Sequence, residues 1–151
     1  MNEKTLAILE KLIAVCQDGT DGFQLASEEV KSSELQSLFL GYSLQRLRLS
    51  RDLETAASAL GSAVPAGSAG GKAGRTWMMP VDAVNPRDEQ AVLSECGRGE
   101  DAAMAAYAMA LEEPELPPAV RAMIAAQAAE LKAMHSEIHS RRTRFAPVAQ
   151  A

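Results

Sequence analysis

The fold is decided by residues 34–61, which read ELQSLFLGYSLQRLRLSRDLETAASALG. Apolar side chains recur there at the spacing of one helical face, and they are Leu35, Leu38, Tyr42, Leu49, Leu53, Ala56 and Leu60. Ser33 and Gln36 have the spacing of a capping box at the start, and Gly61 stands where a terminating glycine is expected. The stretch predicts an amphipathic helix over 34–60.

Three further segments have the same periodicity. The first helix is expected over 3–31, the third over 86–112 after the start signal Asn85-Pro86, and the fourth over 118–142. Their apolar stripes are Ile8, Leu12, Cys16, Phe23, Ala26 and Val30; Val92, Leu93, Cys96, Ala103, Met104, Tyr107 and Leu111; and Val120, Ile124, Leu131, Met134 and Ile138.

The connections predict how these helices are joined. Short breaks separate helices one and two, and three and four, so each pair is expected to be antiparallel. The loop 61–85 is rich in Gly, Ala, Ser and Pro, and it can extend to about 80 Å. A helix over 34–60 is about 40 Å long, so this loop can run the length of the bundle. We therefore expect one all-α domain over 1–145, an antiparallel four-helix bundle with one long crossover, and a flexible tail over 146–151.

Composition narrows the function classes. The chain of 151 residues has a net charge of −5, which disfavours binding to a phosphate backbone. We expect no nucleic-acid partner, and no membrane partner because no apolar run approaches the ~20 residues of a span. Cys16 and Cys96 lack metal-site spacing and nothing resembles a signal peptide, so a cytoplasmic protein with buried, reduced thiols is expected.

Polar residues interrupt the apolar stripes of the four helices at about the same height along the bundle. Asp18, Arg46, Glu100 and Gln127 all lie within about a turn of their predicted helix midpoints. We expect them to form a polar core layer, with Arg46 and Glu100 as an ion pair, because an unpaired buried charge is strongly disfavoured. Gly19, Gly22, Gly97 and Gly99 cluster at the same height, which indicates either close backbone approach or open space there. The alternative, in which residues 18–22 form a turn, is disfavoured because the stripe keeps its phase across them.

Four segments together carry a family resemblance: Asp18-Gly19-Thr20-Asp21-Gly22-Phe23, Gln45-Arg46, Arg75-Thr76-Trp77-Met78, and Glu95-Cys96-Gly97-Arg98-Gly99-Glu100-Asp101. They resemble a bacterial domain-of-unknown-function family that is classed with the ferritin-like four-helix bundles, over about residues 4–142. The resemblance implies a ferritin-like fold and no established activity.

The wider ferritin-like superfamily binds two metals through a Glu on each of two helices and a Glu-x-x-His on each of the other two. Arg46 and Leu49 stand where the second helix should hold Glu and His, and Gln127 and Glu130 stand there in the fourth. We therefore expect no complete di-metal site and no cofactor. The remaining candidate metal ligands are Glu95, Glu100, Glu130, His135 and His139, and Asp18 is a further carboxylate.

These observations favour a non-enzymatic ferritin-like bundle, a structural or stress-related module that associates with itself as a homo-oligomer. The alternative is a metal-binding (iron) protein or oxidoreductase that uses the mid-bundle carboxylates. A third hypothesis is a carrier with a small-molecule or lipid cavity between the glycine-bearing helices.

Overall fold

The computed structural model of the chain describes residues 2–61 and 88–145. They form four helices and no strand: α1 is Asn2–Glu29, α2 is Ser33–Ala59, α3 is Glu89–Leu111 and α4 is Pro118–Phe145. The helices pack against one another, so the prediction of an all-α four-helix bundle is confirmed. The loop 61–85 apart from Gly61, the segment 75–78 and the tail 146–151 lie outside the described residues.

Contacts between helix ends establish the directions. Lys4, at the start of α1, lies 3.9 Å from the carboxylate of Glu115, just beyond α3. At the other end, the backbone N–H of Lys31 donates to the Glu89 carboxylate at 3.0 Å. Helices α1 and α3 are therefore antiparallel neighbours. The ion pair between Arg141 and Glu34 likewise joins the end of α4 to the start of α2.

The neighbour relations place α1 beside α2 and α3, and α4 beside the same two helices. Helices α2 and α3 are thus diagonally opposite and parallel. The end of α2 lies with the start of α1, whereas α3 begins beside Lys31. The chain between α2 and α3 therefore has to join opposite ends of the bundle, as a crossover does.

The start of α2 differs by one residue from the expected cap. Ser32 has extended backbone angles, φ −62° and ψ 122°, and its hydroxyl accepts from the N–H of Leu35. The Gln36 side chain donates to the carbonyl of Val30 at 2.9 Å. The predicted capping box of Ser33 with Gln36 is therefore wrong, because the neighbouring serine has the extended conformation that lets a side chain cap.

Helix α3 begins later than expected. Asp88 is extended, with ψ 98°, and its carboxylate accepts from the backbone N–H groups of Gln90 and Ala91. Glu89 is therefore the first helical residue, and the start predicted at Pro86 is wrong. Asn85 and Pro86 themselves lie outside the described residues.

Two glycine predictions have a clear outcome. Helix α1 continues without interruption through residues 18–22, so the turn alternative is wrong there. Gly61 follows α2 with φ 94°, the left-handed conformation that a terminating glycine adopts most easily.

Candidate functional site

Each helix contributes a predicted polar residue to the buried middle of the bundle. Arg46 of α2 and Glu100 of α3 are fully buried, while Asp18 of α1 and Gln127 of α4 are 4% and 3% exposed. Each follows the core stripe of its own helix, which is why the helices bury these groups. The structure thus places all four residues of the predicted polar layer in the core.

The centre of the layer is an ion pair across the bundle diagonal. Arg46 Nη2 donates to Glu100 Oε1. The pair is joined through one hydrogen bond, and Arg46 Nε, Arg46 Nη1 and Glu100 Oε2 make none within the described residues. Removing two charges from water is costly, so this pair is held together by its mutual attraction in a medium that screens poorly.

The guanidinium of Arg46 has close neighbours on α1. Its Cζ lies 5.5 Å from the ring centre of Phe23, a cation–π distance. Gly19 faces it with no side chain, and a Cβ there would overlap Nη1. Burial lowers the pKa of Arg46, whereas the neighbouring Cys16 and Tyr107 raise it. Arginine nonetheless remains a cation in proteins.

A second buried network links all four helices beside this pair. The Tyr107 hydroxyl donates to Gln127 Oε1 at 2.7 Å, and Gln127 Nε2 donates to the carbonyl of Leu49 at 3.3 Å. The thiol of Cys16 lies 3.1 Å from the Tyr107 oxygen. Because the one hydroxyl hydrogen of Tyr107 goes to Gln127, the thiol is the donor.

Sequence reasoning missed this network because it counted Cys16 and Tyr107 only as members of apolar stripes. A signal was available, since a tyrosine on a core stripe usually needs a hydrogen-bond partner for its hydroxyl. Gln127 at the same height offered both a donor and an acceptor.

The two buried thiols and the buried tyrosine of the core are held in their neutral forms. Burial raises the pKa of the Cys16 thiol, although Tyr107 and Arg46 oppose that effect. Burial likewise raises the pKa values of Cys96 and Tyr107. A thiol reacts as its thiolate, so neither cysteine has the environment of a nucleophile.

The candidate metal ligands are dispersed. Glu95 pairs with Arg98 on the same helix. Glu130 accepts from Gln45 at 2.5 Å and from Arg48 at 2.6 Å.

The two histidines differ in their surroundings. His135 Nε2 lies 2.6 Å from Asp101 Oδ1 on α3, and His139 is exposed. Within the side chains that the structure describes, no three His, Cys, Asp or Glu residues are close enough to hold a metal ion. The sequence pattern did not identify Asp101 as a candidate site residue.

One apolar groove lies away from the polar layer. It encloses about 400 Å³ between the first half of α1 and the last turns of α3, and its lining includes Ile8, Lys11 and Met109. The groove is at one end of the bundle and not at mid-height, where the glycines of α1 and α3 lie.

The fold and the site together define an all-α four-helix bundle with the ion pair of Arg46 and Glu100 buried in its core. The chain belongs to the family described as Domain of unknown function (DUF2383), whose profile matches residues 4–113. The match covers α1 to α3 and ends before α4, so it is shorter than the expected 4–142. No curated protein matches the chain. None of the described helices is long and apolar enough to cross a membrane.

Proposed function

We propose that the protein is a non-enzymatic, ferritin-like bundle that serves as a structural or stress-related, self-associating module and lacks a complete di-metal site. The observation that carries this proposal is the fully buried ion pair of Arg46 and Glu100. The two free, buried cysteines are in keeping with a cytoplasmic location.

The residues at the centre do not fit the di-metal site of the ferritin-like superfamily. Arg46 and Leu49 stand at the Glu-x-x-His places of α2, and Gln127 and Glu130 stand at those of α4. Arg46 brings a fixed positive charge to the place where a divalent cation would bind, and the carboxylate of Glu100 already accepts from it. Like charges repel strongly where water is excluded.

The other polar groups of the core support a structural role. Gln127 is occupied by hydrogen bonds to Tyr107 and Leu49. The raised pKa values of Cys16 and Tyr107 leave both groups protonated near neutral pH. A layer of such groups favours one register of four helices, as buried polar residues do in some helical bundles.

Metal content tests the proposal. The full chain, purified without chelator, is expected to contain iron, zinc and manganese at well below one ion per chain by elemental mass spectrometry. Glu100→Ala and the exposed control Glu28→Ala are expected to give the same result. About one or two ions per chain that disappear in Glu100→Ala and remain in Glu28→Ala would establish the metal-binding alternative.

A further inference from the structure

Helix α2 carries apolar side chains on its outer surface as well as in the core. Leu40 and Leu44 are 47% and 67% exposed, and they lie one helical turn apart. In the described part of the chain, the one other large apolar side chain of comparable exposure is Met109, which lies on α3. A pair of leucines on one helical face is a candidate contact surface.

A glycine lies beside these leucines. Gly41 is exposed inside α2, and a Cβ added to it would meet nothing within 4 Å. Glycine weakens a helix relative to alanine, and no contact within the described chain requires it here. Its missing side chain leaves a depression next to Leu44, where a second helix can approach the backbone closely.

Two exposed side chains of opposite charge lie near the two ends of this face. Glu34 lies ten residues before Leu44, and Arg51 lies ten residues after Gly41. Both side chains are exposed, although the Glu34 carboxylate also accepts from Arg141 of α4. Consider two copies of α2 that pair antiparallel, so that each Leu44 lies over the Gly41 of the other copy. Glu34 of each copy is then opposite Arg51 of the other. A parallel pairing would instead bring like charges together.

We propose that the α2 face formed by Leu40, Gly41 and Leu44 binds the same face of a second copy, antiparallel and about a two-fold axis. The inference rests on the self-association in the proposed function and names its surface. One helix face per copy makes a small interface, so the dimer is expected to dissociate on dilution in the micromolar range.

Sedimentation velocity of the full chain over a dilution series tests the apolar contact. The wild type is expected to pass from dimer to monomer on dilution. Leu44→Glu is expected to be monomeric throughout, whereas Met109→Glu, a matched change at the other exposed apolar position, is expected to dimerise as the wild type does. Circular dichroism checks that each variant remains helical.

A charge exchange tests the antiparallel register. Glu34→Arg and Arg51→Glu are each expected to weaken the homodimer by about tenfold or more, because each places like charges opposite one another. Glu34→Arg also removes the contact with Arg141 inside the chain, and mixing the variants does not restore that contact. An equimolar mixture of the two variants restores opposite charges at both ends, so it is expected to form heterodimers at wild-type concentrations.

Different outcomes would contradict different parts of the proposal. A dimer that survives Leu44→Glu, or is lost in Met109→Glu, would contradict this surface and leave self-association standing. A mixture that associates no better than the separate variants would contradict the antiparallel register. A wild-type chain that stays monomeric at every concentration would contradict both this interface and self-association, and a different partner would then have to account for the face.

Discussion

The backbone of Gly19 in α1 lies against the guanidinium of Arg46 in α2, so that a Cβ at position 19 would overlap Nη1 and lie 3.2 Å from Cγ. A glycine inside a helix normally lowers the stability of the helix, yet here it provides the space that the buried guanidinium of Arg46 occupies. The close approach of α1 therefore fixes where Arg46 can meet Glu100.

Gly19→Ala is expected to lower the free energy of unfolding by about 1–2 kcal/mol, because the cost of overpacking exceeds the gain in helix propensity from alanine. Gly41→Ala is the matched control, and with open space around it we expect stabilisation of up to about 1 kcal/mol. Both are measured by urea unfolding in a Leu44→Glu chain, so that association does not contribute. A stabilised Gly19→Ala would show that Arg46 does not need the space.

Tyr107→Phe is expected to destabilise the protein by about 1–3 kcal/mol, because it leaves the buried Oε1 of Gln127 without its donor. Tyr42→Phe makes the same chemical change at a half-buried tyrosine with no hydrogen bond to the described residues, and it is expected to have little effect. Equal unfolding midpoints in urea for the two variants would contradict the network.

Stability is expected to fall at alkaline pH. Burial raises the pKa of Cys96 above its ordinary value of 9.0. A raised folded pKa gives stability that is complete below the unfolded value and is lost as the pH rises toward the folded value. At pH 10 the loss is about 1.4 kcal/mol for one thiol.

The free energy of unfolding, measured from pH 7 to pH 10, tests this expectation. Cys96→Ala is expected to be less stable at neutral pH because of the cavity, but to lose less stability above pH 9 than the wild type. Identical slopes for the two proteins would mean that Cys96 does not contribute to the alkaline loss.

The helices and their order could be predicted because each depends on local pattern. The spacing from Leu35 to Leu60 identifies α2, and the short break before Ser33 makes it an antiparallel neighbour of α1. The step in that stripe from Tyr42 to Leu49 passes through Gln45 or Arg46, so it marked a polar residue that the helix had to bury. Charge neutrality then pointed to Glu100, the one carboxylate on the core stripe of α3.

Details that depend on individual backbone angles could not be predicted. Ser32 and Ser33 offer the same capping chemistry, and only the extended angles of Ser32 decide between them. The hydrogen bond between Cys16 and Tyr107 joins residues 91 positions apart, whose side chains meet only through the packing of α1 on α3. Local periodicity contains no information on such a contact.

The central claim is that Arg46 and Glu100 depend on each other in the core, and a double-mutant cycle in urea tests it most directly. Arg46→Met and Glu100→Leu are each expected to cost about 3–5 kcal/mol, because each leaves one buried charge alone, while the double variant is expected to be close to wild type in stability. If a single variant fails to fold while the double variant still unfolds cooperatively, that outcome also shows that the two residues depend on each other. Single losses that simply add, or that are barely measurable, would contradict the account and leave Glu100 available as a metal or substrate ligand.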